Sequence, residues 1–387
     1  MPNLRKEVAL LIDPGDSWGR RVIRGICEEV RQHHAWDLLI APRDDEWRFR
    51  VPSRWKGDGV IGAIRDTKSA THVRSLNVPM VNVSSWQGSG VGWHRVNTDD
   101  EIRARMAFAH LRERKFSHFA YYGPPSQRYP DLRGLCFQRT VMDAGYSCEM
   151  FSASPSRRGW NSVKQQTLEW LNRTPRPLAV FAADPHPAIQ LAEICRVAGM
   201  RIPDEIAILS GDTDDLLCEV SNPPLSSVVL AAERIGEESV RLLAQLMQRQ
   251  QVTVISKVIP PIGIISRQST DTLVVDDPDF VQALRFIRQK ACNGIKVSDV
   301  VNIVPCSRRL LEQRFERYLG CSPADEIRRV RMERVKELLI STSLSLEKIA
   351  TEAGYHSTSH LCVAFKAYTG ETARDYRQSF RANTDSP

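Results

Sequence analysis

The chain has 387 residues, 42% hydrophobic and 26% charged, with a formal net charge of +7. That is too long for one ordinary core and places it among soluble globular proteins of two or three domains. No stretch reaches the roughly eighteen uninterrupted apolar residues of a membrane span, and the opening MPNLRKEVALLIDPGD has too short an apolar run for a secretory signal. No membrane partner and a cytoplasmic location are therefore expected.

The N-terminal run reads instead as a buried strand, EVALLID (7–13), the first of a series. WDLLIAP (36–42), DGVIGAI (58–64), PMVNVS (79–84), HFAYYG (118–123), PLAVFAAD (177–184) and IAILSGD (206–212) follow. Between them lie amphipathic helical patterns at 19–33, 101–114, 188–199 and 233–248. Apolar strands alternating with helices predict parallel sheets covered on both faces, with ligands at the strands' carboxyl ends.

Near DTLVVDDPD (271–279) the pattern changes to helices alone: 279–292, 297–304, 307–318, 323–340, 346–353, 357–368 and 372–378. Residues 1–270 are expected to form a two-lobed α/β sensor. Its first lobe would take 6–113 plus 228–250, and its second 114–227 plus 251–270. A linker at 271–278 would precede an all-α domain at 279–387. Residues 285–348 hold fourteen Lys/Arg against eight Asp/Glu, whereas residues 1–275 hold 35 against 31. A basic bias confined to one helical segment suits a phosphate backbone.

The helical part repeats itself. At an offset of fifty, Ser307 pairs with Ser357, Leu311 with Leu361, Phe315 with Phe365, Tyr318 with Tyr368, Gly320 with Gly370 and Ser322 with Thr372. The preceding helices match at forty-nine, as Val297 with Leu346 and Val300 with Ile349, and Gly354 accounts for the extra residue. The serines read as N-caps, the Leu/Phe pairs as i, i+4 core faces and the glycines as helix stops. Two helix-turn-helix motifs joined by a helix of about 27 Å could hold two reading helices roughly one DNA turn apart. The plainer alternative is a duplicated bundle used for protein contacts.

The second copy resembles the C-terminal signature of AraC-type transcription regulators. It is carried by Ile349, Ala350, Gly354, Tyr355, Ser357, Ser359, Leu361, Phe365, Lys366, Tyr368, Gly370, Thr372, Tyr376 and Arg377. Ala373 stands where that family usually has Pro, and His360 where an aromatic is common. Neither threatens the fold, since Ala is a strong helix former.

The first 270 residues resemble the sugar-binding core of LacI-type repressors and periplasmic sugar-binding proteins. The matching pieces are VNTDD (96–100), RGLCFQRTVMDAG (133–145), VFAADPHPAIQLA (180–192), EIAILSGDTDDL (205–216) and PPLSSVVLAAERIGEESVRLL (223–243), in the same order. With the first strand at 7–13, no LacI-type reader is expected ahead of this core. A LacI-like sensor joined to an AraC-like reader is similar to the layout of regulators of xylose operons, including KACNGIKV (290–297) and LLISTSLSLEKIA (338–350). The resemblance implies a DNA-binding transcription regulator answering to D-xylose or a related monosaccharide. Operator DNA and a second copy of the chain are implied partners, with room for a contact with RNA polymerase.

A sugar needs bidentate polar partners for its hydroxyls and an aromatic face for its C–H side. The resemblance places Arg133, Asp184 and Asp212 at the pocket. The first lobe is expected to add the loop Asp13–Trp18 and Asp66. Trp18 is the preferred stacking residue over Trp47, Trp86 and Trp93. In the reader, Arg308, Arg309, Glu312 and Gln313 of the first copy are the expected base or phosphate contacts. Thr358, Ser359, His360 and Val363 of the second would face the groove, with Lys366 on phosphate.

No metal and no cofactor is expected. Nine cysteines are scattered singly without a CxxC pair, and GDTDDL lacks the spacing of a calcium loop. There is no Walker A loop, GxGxxG, GxSxG or HExxH motif, so an enzyme is not expected. The rival readings are a periplasmic-type sugar-binding protein, a carbohydrate-processing enzyme on the same two-lobed fold, and a regulator answering to a non-sugar molecule.

Overall fold

In a computed structural model, residues 5–85, 92–123, 132–152, 159–248, 256–272, 274–342 and 344–377 are described. The chain divides into two compact units. One comprises residues 1–113 and 117–264, and the other residues 114–116 and 265–387.

The first unit holds two parallel sheets. Its elements are β1 (Lys6–Leu11), α1 (Ser17–His33), β2 (Trp36–Ile40), β3 (Gly59–Gly62), α2 (Thr67–Ser75), β4 (Met80–Asn82) and β5 (His94–Thr98). Then come α3 (Asp100–Glu113), β6 (His118–Gly123), α4 (Leu132–Asp143), β7 (Cys148–Ser152), α5 (Trp160–Arg173), β8 (Leu178–Ala182) and α6 (Pro185–Val197). The series closes with β9 (Ile206–Ser210), α7 (Asp215–Val220), β10 (Ser226–Val229), α8 (Ala232–Met247), β11 (Ser256–Ile259) and β12 (Gly263–Ile265). The first sheet runs β11-β5-β4-β3-β1-β2 and the second β12-β10-β9-β8-β6-β7.

Each sheet is built as the apolar runs predict. Val8, Leu10, Ile61 and Val81 point into a core closed by Val22 and Ile26 of α1 and Ile235 and Val240 of α8. α1 and α8 cross closely because Gly25 faces the Glu233 carbonyl and Gly236 faces the Val22 carbonyl, positions where any side chain would collide. In the second sheet Val180, Ala182, Ile206 and Ile208 are completely buried under Leu191 and Cys195 of α6.

The chain passes between sheets three times, between β5 and α3, between β10 and α8, and between β11 and β12. Three expected boundaries shift as a result. Residues 100–113 are expected in the first lobe, yet α3 packs on α4 of the second. Residues 256–259 are expected in the second lobe, yet β11 pairs with β5 of the first sheet, Val258 opposite Asn97. β10 begins at Ser226 in the second sheet, beside β9, and reaches Val229, inside the stretch given to the first lobe. The second compact unit starts at Ile265, before the expected linker at 271, and takes in residues 114–116. There Arg114 donates to the Thr270 carbonyl at 2.7 Å, and the Val274 amide donates to the Arg114 carbonyl.

The second unit is helical beyond β12: α9 (Pro278–Lys290), α10 (Val297–Val301), α11 (Arg308–Leu319), α12 (Pro323–Ser341), α13 (Leu346–Glu352) and α14 (Thr358–Thr369). α11 and α14 keep the fifty-residue offset and are capped alike. Ser307 accepts from the Leu310 amide and Ser357 from the His360 amide, and Gly320 (φ 66°) and Gly370 (φ 85°) stop them in the left-handed conformation. Two cores result. Leu311 and Phe315 join Phe280, Leu284 and Ile287, while Leu361 and Phe365 join Met332, Val335 and Leu339. α12, about 28 Å long, feeds Ile327 into the first core and Met332, Val335 and Leu339 into the second.

Candidate functional site

Between the two sheets of the first unit lies a cleft of 1020 Å³, at the top of the usual range for small-molecule sites. It sits at the strands' carboxyl ends, where helix N-termini converge. Asp13 follows β1, Asp16 caps α1 and Trp18 occupies that helix's first turn. Arg133 is the second residue of α4, Asp184 follows β8 and caps α6, and Asp212 follows β9. All of these line the cleft.

The carboxylates are already anchored. Asp13 accepts from Arg43 at 2.5 Å and from the Gly15 amide; partial burial opposes ionisation, but these partners and Arg65 hold its carboxyl below the usual range. Asp184 accepts from the His186 amide at 3.1 Å. Asp212 is buried and accepts from the Thr213 amide and from Arg21 at 2.9 Å. Burial pushes the Asp212 carboxyl up, against the pull of Arg21 and Arg103. Arg21 belongs to α1 and also donates to the Leu230 and Thr213 carbonyls, so this ion pair ties the helix of the first sheet to a loop of the second.

Trp18 faces Arg65, whose guanidinium lies 5.8 Å from its ring. Arg133 donates to the Ala183 carbonyl, one residue before Asp184.

Asp66 is not part of the cleft. It is exposed and caps α2, accepting from the Ser69 amide at 2.8 Å and the Ser69 hydroxyl at 2.7 Å; its neighbour Arg65 is the residue that lines the site. Of the other tryptophans, Trp47 is 76% exposed beside Arg43, and Trp93 packs under the outer face of the first sheet. Neither lines the cleft, and Trp86 lies outside the described residues.

Several lining residues are not singled out by the sequence, among them Arg65, Asn97, Arg103 and Trp160. Asn97 sits in a strand the sequence reading missed, and Arg103 lies in a helix that reads as merely amphipathic. Arg65 follows a recognised strand end, which was the available signal. Among the described residues, no group of three or more His, Cys, Asp or Glu is placed to hold a metal ion.

In the second unit, Arg308, Arg309, Glu312 and Gln313 are exposed on α11, and Ser359, His360, Val363 and Lys366 on α14; Thr358 is half-buried at its start. Arg308 pairs with Glu312 at 2.9 Å across one turn. His360 meets Tyr355 edge-on, with ring centres 5.6 Å apart. The helix before each reading helix is fixed by the shared core, and Arg331 of α12 clamps the first copy through the Ala291 and Ile295 carbonyls. Glu326 is buried yet held down to about 2, because Arg329 and Arg288 outweigh its burial.

Three family profiles match in succession: a XylR N-terminal domain over residues 7–95, a periplasmic binding protein-like domain over 108–270 and a helix-turn-helix domain over 300–379. The chain is 28% identical over 383 residues to the xylose operon regulatory protein of Escherichia coli K12, covering 96% of this chain and 97% of that protein. It is 27% identical to the Haemophilus influenzae protein of the same name, covering 96% and 98%. A solved xylose-binding transcription activator, xylR, superposes with a TM-score of 0.69 at 28% identity, covering 98% of this chain and 99% of that one. Among the described residues no helix is long and apolar enough to cross a membrane. A two-lobed binding cleft followed by a doubled helix-turn-helix unit makes this chain a DNA-binding transcription regulator, similar over nearly its whole length to the xylose operon regulatory proteins.

Proposed function

We propose that the chain is a cytoplasmic, monosaccharide-responsive regulator, with D-xylose the first effector to test, acting as a homodimer on operator DNA and in contact with RNA polymerase. The observation that carries this reading is the cleft. Asp13, Trp18, Arg133, Asp184 and Asp212 converge from the two sheets on one space, in a chain that also carries a doubled reader. Hydroxyls would be taken by the carboxylates and Arg133, and the C–H face by Trp18.

The reader's role follows from its faces. Arg308, Arg309, Glu312 and Gln313 supply donors and acceptors suited to guanine, adenine and phosphate. Thr358, Ser359, His360 and Val363 offer small polar and apolar contacts, with Lys366 on the backbone.

A panel of neutral monosaccharides in a thermal-shift assay tests the sensor, and titration of DNA affinity against salt tests the reader. D-xylose is expected to raise the melting temperature, and DNA affinity to fall steeply as salt rises. Stabilisation by another sugar alone would retire D-xylose. Absence of DNA binding at low salt would sink the regulator reading.

A further inference from the structure

Arg103 at Nε, Asn97 at Oδ1 and Ser221 at Oγ line the cleft and each carry a buried polar atom with no hydrogen-bond partner among the described residues. Arg103 on α3 is 1% exposed and lines the cleft; its terminal nitrogens donate to Asp100 and to the Gly211 carbonyl, the latter at 3.4 Å. Its Nε–H is buried and has no hydrogen-bond partner among the described residues. Asn97, on β5 of the first sheet, also lines the cleft, and its Oδ1 is likewise buried without a partner. Orphaned buried polar atoms are uncommon in native proteins and cost stability unless something satisfies them.

Asn97 and Arg103 come from different sides. Asn97 belongs to a strand paired with β11 in the first sheet, whereas α3 packs on α4 and Arg103 reaches the loop after β9 of the second. One is a donor and the other an acceptor. A sugar hydroxyl is both at once, accepting from Nε–H and donating to Oδ1. A carboxylate would suit the guanidinium but set a negative oxygen against the Asn97 carbonyl. Arg103 already has a carboxylate partner in Asp100.

We infer that Asn97 and Arg103 are specificity-determining ligand contacts that together read one hydroxyl of a neutral monosaccharide, and that this shared hydroxyl draws the two sides of the cleft onto the sugar. The inference rests on the sugar-sensor reading proposed above.

The test measures affinity for D-xylose, its monodeoxy analogues and D-xylonate by calorimetry, in the full chain and in Asn97→Ala and Arg103→Lys. Lysine keeps a cation beside Asp100 but has no Nε–H, and Asn97→Ala leaves the ion pair untouched if Arg103→Lys fails to fold. In the unchanged protein, removal of one particular hydroxyl is expected to cost ten- to a hundredfold in affinity, and xylonate to bind more weakly than xylose. In each variant the parent sugar should lose part of that factor, and the penalty for the same deoxy position should shrink accordingly. Variants that bind D-xylose as the unchanged protein does, or that keep the full deoxy penalty, would overturn this pairing while leaving the sensor reading intact. If no neutral monosaccharide binds the unchanged protein, the sensor reading falls and this inference with it.

Discussion

At the scale of single residues, the cleft separates carboxylates that look alike in sequence. Asp66 and Asp184 both follow a strand and precede a helix, and both cap that helix. β3 and β8 hold the same central place in their sheets, yet only Asp184 lines the cleft; after β3 the lining residue is Arg65, and Asp66 behind it is taken up by its cap on Ser69. Asp66→Ala should therefore lower stability by about 1 kcal/mol through the lost cap and leave sugar affinity unchanged. A fall in affinity beyond threefold with an unchanged melting temperature would contradict that assignment. Glu237 on α8 gives a pH signature. Burial, with Glu29, Glu238 and Glu28 nearby, pushes its carboxyl up to about 7 against the pull of Arg241. The folded state thus binds that proton more tightly than the unfolded one, so stability drops between about pH 4.5 and pH 7. Glu237→Gln should raise the melting temperature at pH 8, by on the order of 1 kcal/mol in stability, and do nothing at pH 4. Equal effects at both values would show that the residue acts by packing.

At the scale of elements, the strands legible in sequence were the continuous apolar ones. β1, β3, β6, β8 and β9 carry runs such as VALL and LAVFA and are buried almost throughout. β5 (HRVNT), β7 (CEMFS) and β11 (SKVI) sit toward or at sheet edges with half-exposed, polar residues, so no apolar run announces them. Asn97 was missed for that reason. The reader was legible nearly to the residue because caps, stops and core pairs repeat at a fixed offset. Gly354 is the one position where the copies differ in length. Its φ is +74°, and a Cβ there would lie 2.5 Å from the Cys292 carbonyl oxygen, so the second turn rests on the backbone of the first copy. Gly354→Ala should destabilise this unit by about 2 kcal/mol or more, from strain and collision together. A variant with unchanged melting temperature and operator affinity would refute that account. The reading helices themselves predict a division of labour. Arg309→Ala should cost about 1–3 kcal/mol in DNA affinity and relax base preference at one position, whereas Val363→Ala loses only a methyl-sized contact. Selection of sites from a random duplex library by each variant compares them, and greater relaxation by Val363→Ala would reverse the assignment.

At the scale of the whole molecule, a sensor and a reader share one chain, so effector and operator must be linked if the protein regulates by binding both. Linkage is reciprocal: whatever factor a saturating sugar applies to operator affinity, saturating operator applies to sugar affinity. Regulatory couplings typically amount to five- to 150-fold, and the factor must come from a difference between two states of the protein. The cleft offers the sensor's half of that difference. Arg21–Asp212 already joins the two sides, and the hydroxyl contact inferred for Asn97 and Arg103 would add a second tie through the ligand. Weakening the built-in tie with Asp212→Asn should therefore reduce sugar affinity and shrink the coupling factor, while the reader's salt dependence, set by its own basic residues, stays as it was. The measurement is a four-cornered cycle: operator affinity by fluorescence anisotropy with and without sugar, and sugar affinity by calorimetry with and without operator, all at one salt concentration. Equal factors around the cycle, both smaller in Asp212→Asn, are the expected result. An operator affinity indifferent to sugar, in a protein that demonstrably binds both, would mean that the cleft does not govern the reader through DNA affinity.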